Sequence, residues 1–139
     1  MIEKLNLKDK DRIVRKIYKN YKKAQLDMIY MSQHYNYYPQ IDLFKVRETS
    51  YGSADQKMLN QLEKKERLED YVRIVNQIHS QLSNETFTFI ENEYLNFYDI
   101  NWYIPLYSKA TYYRMKHKAL NELLEVVLIF WDEEELMQL

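Results

Sequence analysis

Ser108-Lys109-Ala110-Thr111-Tyr112-Tyr113-Arg114-Met115-Lys116-His117-Lys118-Ala119-Leu120 is the stretch from which the fold is read. A serine before a helix caps it, because its hydroxyl accepts a hydrogen bond from a backbone N–H of the first turn. Tyr112, Met115, Ala119, Leu120 and Leu123 recur at three- and four-residue spacing and form one apolar face. Lys109, Ala110, Tyr113, Arg114 and His117 fall largely on the other. The spacing predicts a capped helix to about residue 130, anchored on one side and carrying donors near its N-terminus on the other.

Working backwards, Ser83 or Asn84 caps a helix to about residue 95, with Phe87, Ile90, Tyr94 and Leu95 inward. Residues 96–98 read as a turn, and Asp99 caps a short helix over 100–104 that ends near Pro105. Two short helices and a tight turn before a serine-capped helix have the layout of a helix-turn-helix. Further upstream, a helix over 9–31, capped by Asp9 or Asp11, shows one stripe of Ile13, Val14, Ile17, Tyr18, Tyr21, Ala24, Gln25 and Met28. Residues 32–54, with Pro39, Gly52 and several tyrosines, read as a long aromatic loop. A second long helix over 54–82 turns Leu59, Leu62, Tyr71, Val72, Val75, Ile78 and Leu82 inward. On its wet side Glu63 with Arg67 and Glu69 with Arg73 stand at the favourable four-residue offset. The expected fold is all-α: two long helices (1–82, with the loop) and a C-terminal helix-turn-helix (83–139, with an acidic tail), packed as one compact unit.

Composition agrees. One glycine and two prolines in 139 residues leave long stretches free to be helical. With no cysteine, disulfides and thiolate metal sites are excluded. His34, His79 and His117 have no ligand spacing, so neither a metal nor a cofactor is expected. No Ser/His/Asp set, phosphate-binding glycine loop or metalloprotease signature is present, which argues against an enzyme. No apolar run approaches the length of a membrane span, and the first residues do not read as a signal peptide, so the cytoplasm is the expected location. The net charge of −1 hides its distribution. Residues 1–23 hold nine Lys/Arg against three acids, residues 109–118 hold four against none, and 132–135 are all acidic. Two basic patches suit a polyanionic partner.

The stretch 108–120 resembles the serine-capped reading helix of sigma factor region four. It is more similar still to the ArpU-like phage regulators of late transcription and their mollicute relatives, whose helix runs serine, basic residue, any residue, then Thr-Tyr-Tyr-Arg. The strong match covers Ser108 to Leu120, and the layout extends over 83–128. The resemblance implies a regulator of transcription that binds double-stranded DNA, beside RNA polymerase. It makes Ser108 the cap, and it puts Lys109, Thr111, Tyr113 and Arg114 on the DNA side and Tyr112, Met115, Ala119 and Leu120 in the packing. The residues themselves add Ala110, His117 and Lys118 to the DNA side, with phosphate contacts from Ser108, Lys116, Arg12, Arg15, Lys16 and Lys19. The family's turn before the serine has a leucine and then a glycine or polar residue; here it reads Ile104-Pro105-Leu106-Tyr107.

A plainer reading stands beside each feature. Charge runs are usually solvated faces, and the loop tyrosines more often pin a loop than stack on bases. The apolar run 126–131 cannot all face one side of a helix, so a partner or a second copy is favoured over core by a narrow margin. The alternative function is a protein-interaction module that docks on RNA polymerase or self-associates, with little contact to DNA.

Overall fold

The computed structural model describes the backbone of residues 4–35, 53–96 and 99–139, and the side chains of 4–33, 56–96 and 99–139. Among the described residues, five α-helices follow one another: α1 (Leu7–Tyr35), α2 (Ser53–Gln81), α3 (Asn84–Ile90), α4 (Lys109–Phe130) and α5 (Glu133–Met137). A π-helical turn, Glu91–Leu95, continues α3. No strand occurs among the described residues.

The chain divides by its contacts into two compact units, Met1–Asn20 with Ile74–Leu139, and Tyr21–Arg73. The division does not fall at 82/83; α1 and α2 each contribute to both units.

In the first unit, α1 begins earlier than expected because Asn6, not Asp9 or Asp11, is its cap: the Asn6 side chain accepts the Asp9 N–H at 2.8 Å. Its stripe of Ile13, Val14, Ile17 and Tyr18 is buried, together with Val75, Ile78 and Leu82. Ser83 caps α3 and also meets α4, since its backbone N–H donates to Glu122 Oε2 at 2.9 Å. This puts a carboxylate at a helix N-terminus, where the unsatisfied N–H groups favour negative charge. Burial alone would raise the Glu122 carboxyl, but the bonds from Ser83 and Thr86 hold it below its ordinary value.

After Ile90 the helix widens: Asn96 N–H reaches Glu91 O at 2.7 Å, five residues back. The short helix expected over 100–104 is a run of turns, with bonds such as Ile104 N–H to Asn101 O at 3.1 Å. Pro105 has no N–H to give, and its ring disfavours helical geometry at Ile104. Asp99 still stabilises the entry by accepting the Asn101 N–H at 2.8 Å. Aromatic contacts bind this segment: Tyr103 stacks on Tyr112 at 3.9 Å, and Trp102 meets Phe89 edge-on at 5.5 Å.

At the far end, Val127 is fully buried, Val126, Leu128, Phe130 and Trp131 are half-buried, and Ile129 alone of the run 126–131 is exposed. One residue of the run is thus in the core, and four more lie partly against it. The acidic residues 132–135 are exposed and also begin a helix. Asp132 and Glu135 form a reciprocal capping box for α5, which tucks Leu136 inside.

In the second unit, Tyr21, Ala24 and Met31 are buried. The helix runs past Met31, and 36–52, the greater part of the expected aromatic loop, lies outside the described residues. On α2, Glu69 pairs with Lys65 at 3.9 Å and Arg73 with Asp70 at 2.9 Å, in place of the expected Glu69–Arg73 pair. Leu59 and Leu62, read as inward, stay half open at 52% and 49%.

His79 is half-buried against the first unit's core. Its Nε2 lies 2.9 Å from the Tyr18 hydroxyl, and its ring packs on Phe87 at 5.0 Å. Burial lowers its pKa from the ordinary 6.5. A lowered folded-state value means that protonation favours the unfolded chain, so the contribution of neutral His79 is complete above the unfolded value and is lost as pH falls below it. Urea midpoints are expected to fall between about pH 7 and about pH 5, and to fall less in His79→Gln.

Candidate nucleic-acid interface

The N-terminal turns of α4 carry the residues singled out by sequence. Ser108 accepts the Thr111 N–H at 3.2 Å and donates its hydroxyl to Thr111 Oγ1 at 2.9 Å. Arg114 Nη2 donates to the same Oγ1 at 3.3 Å, so the cap, Thr111 and Arg114 form one polar chain on the surface. Lys109, Ala110, Tyr113, Arg114, His117 and Lys118 are all exposed, and Thr111 is half-buried. Tyr113 rests edge-on against Tyr112 at 5.0 Å, which steadies an exposed ring. Lys118 reaches Glu85 at 3.5 Å, with both side chains mostly in water, so the pair contributes little.

The opposite face holds the helix down. Tyr112, Ala119, Leu120, Leu123 and Leu124 are buried, and Met115 is half-buried. Lys116 belongs to this inward face. Expected among the phosphate contacts, it is only 8% exposed, with its ammonium 3.1 Å from Asp11 and 3.5 Å from Glu93. It has two carboxylates beside it and is not presented to a ligand.

Around Lys116 the unit is tied together by polar bonds. Tyr94 donates to Asp11 at 2.6 Å, Arg15 to the other Asp11 oxygen at 2.6 Å, and Trp102 Nε1 to Glu93 at 3.2 Å. Tyr112 donates to the second oxygen of Glu93. Burial alone would raise the Asp11 carboxyl, but the bonds from Tyr94, Arg15 and Lys116 outweigh it and hold the group below its ordinary value. Burial, and then the bond to a carboxylate, push the Tyr94 and Tyr112 hydroxyls well up, so both act as donors.

Sequence reasoning missed this cluster. The signal was present for three of its members: Lys116 stands four residues from both Tyr112 and Leu120, Asp11 three residues before Val14 on the buried stripe, and Glu93 four residues after Phe89 and three after Ile90.

The basic face of α1 is partly neutralised. Arg12 lies 3.8 Å from Asp9, and Arg15 is bound to Asp11. Arg12 and Lys16 line a small hollow with Leu136 and Met137 of the acidic α5. Lys16 and Lys19 are exposed. Among the described residues no three His, Asp or Glu side chains are placed to hold a metal ion, and no helix is long and apolar enough to cross a membrane. Comparison with family models, with curated proteins and with solved structures finds no match.

Removing the Lys116 ammonium leaves Glu93 without a cation and Asp11 with Arg15 alone. Lys116→Met is expected to cost about 3 kcal/mol in urea unfolding. Adding Asp11→Asn and Glu93→Gln should recover much of that loss, since the uncompensated charges go with it.

Proposed function

We propose that this chain is a DNA-binding regulator of transcription that reads double-stranded DNA with the first turns of α4. The observation that carries the reading is the division of that helix. Lys109, Tyr113, Arg114 and His117 face water at its serine-capped end, while Tyr112, Lys116, Ala119 and Leu120 lock its other side. A reading helix needs both: a fixed side to set register, and a free side with donors for base edges and phosphates. Ala110 allows close approach, and the free backbone N–H groups after Ser108 suit a phosphate. The similarity of 108–120 to the ArpU-like and sigma region-four helices supports the same reading. In it, Lys109, Ala110, Thr111, Tyr113, Arg114, His117 and Lys118 meet DNA, and Lys16 and Lys19 add contacts to phosphate. Over 100–106 the chain runs in turns, where a regular helix-turn-helix has a short helix.

A second reading has its own observation. Ile100, Ile104 and Leu106 are 79%, 59% and 65% exposed just before the reading helix. Exposed apolar groups of this kind mark protein contacts, and RNA polymerase would be the partner in a sigma-like module.

A fluorescence titration against a pool of short AT-rich duplexes separates the two. Binding is expected at low salt and should weaken steeply as salt is added, because neutralising several phosphates releases counterions. Lys109→Ala/Arg114→Ala should lose about tenfold or more in affinity while keeping its helical signal. Absence of binding at low salt would reject the DNA reading and leave the protein-docking one.

A further inference from the structure

The exposed cations of the first unit differ in what holds them. Arg12, Arg15 and Lys118 each lie beside a carboxylate, at 3.8, 2.6 and 3.5 Å. Arg114 makes no such ion pair among the described residues; its Nη2 donates instead to Thr111 Oγ1 at 3.3 Å. A carboxylate would offset the guanidinium's charge, whereas a hydroxyl holds the group and leaves the charge whole. The threonine is itself held. It stands about one helical turn before the arginine, on the same side. It is half-buried, and its oxygen also accepts the Ser108 hydroxyl at 2.9 Å. A hydroxyl oxygen has two lone pairs. Both are taken, so Thr111 has no acceptor left for a base.

We infer that Thr111 is a positioning residue: through its hydrogen bond to Arg114 it aims that guanidinium at one guanine of the bound duplex. The inference rests on the reading of α4 as the helix that meets DNA. The geometry of the guanidinium selects the base. It carries five N–H donors in one plane. One of the two on Nη2 goes to Thr111, which leaves the other free beside those of Nη1. Two parallel donors of this kind match O6 and N7 on the major-groove edge of guanine. An arginine loose in water gives up several rotamers when it docks. One already held gives up fewer, so more of the contact's free energy reaches the guanine complex.

A random duplex pool, bound by the full chain at low salt and sequenced, finds the position, and titration of single duplexes measures it. Wild type is expected to favour guanine there by about tenfold over the other bases, and Arg114→Ala to lose that preference. Thr111→Val keeps the side chain's shape and the backbone N–H bound by Ser108, and removes only the oxygen. It should lower the preference about threefold, with Thr111→Ser restoring it. In the Arg114→Ala background the same change should cost the guanine duplex nothing further. An equal cost there would mean that the threonine acts on its own, and an undiminished preference in Thr111→Val that it does not act at all. Either outcome overturns the inference and leaves the DNA reading standing. Absence of wild-type binding at low salt overturns both. Should Thr111→Val not fold, side-chain NMR relaxation of the free wild-type chain decides. The Nε–H of Arg114 is expected to be more restricted than that of the exposed Arg67, and equal mobility overturns the proposal.

Discussion

The ammonium of Lys116, held between Asp11 and Glu93, is the constraint on which the first unit depends. It joins three parts of the chain that are far apart in sequence: α1, the π turn and α4. A charge taken out of water is tolerated only when partners are placed around it, and the partners here come with their own supports. Tyr94 and Arg15 hold Asp11; Tyr112 and Trp102 hold Glu93. Apolar packing alone would let α4 rotate or slide by small amounts at little cost. A buried ion group with directional bonds permits few such alternatives. The rotation of α4 about its own axis is thereby set, and with it the direction in which Lys109, Tyr113, Arg114 and His117 point.

Much of this was legible in the sequence, and the reasons are specific. The boundaries of α4 were readable because Ser108 precedes an uninterrupted apolar rhythm and no glycine or proline follows it. The buried stripe of α1 was readable for the same reason. Lys116 was misread because a cluster of cations suggests a solvated face, although its own spacing placed it with Tyr112 and Leu120. The segment before Ser108 was misread because Asp99 is a good initiator, while the effect of Pro105 reaches back to a stretch too short to recover. Asn6 was overlooked as a cap in favour of two acids that serve elsewhere, one in the first turn of α1 and one in its polar core.

The candidate interface divides along the same line. Outward residues of α4 could be assigned from periodicity, since any residue opposite an apolar face must meet water. What periodicity does not contain is how surface side chains use one another. Thr111 accepts from both Ser108 and Arg114, so the arginine is steered by the cap that starts its helix. Nor does it show that the cations of α1 are unequal: Arg12 and Arg15 already have acidic neighbours, whereas Lys16 and Lys19 stand open.

The π turn after Ile90 carries a further consequence. Such a turn holds one residue more than the α-helical turn it replaces, so the segments on either side of it are out of phase by about 100°. The residues beyond it, from Asn96 onwards, therefore leave in a direction that the α-helical count of α3 does not give. Chain length between Ile90 and Asn96 is constrained independently of which residues occupy it. A version shortened by one residue, with every side chain otherwise intact, would redirect the segment that brings Trp102 to Phe89 and Tyr103 to Tyr112. In this protein, the spacing of a single helical turn is as much a determinant of that packing as the rings that meet there.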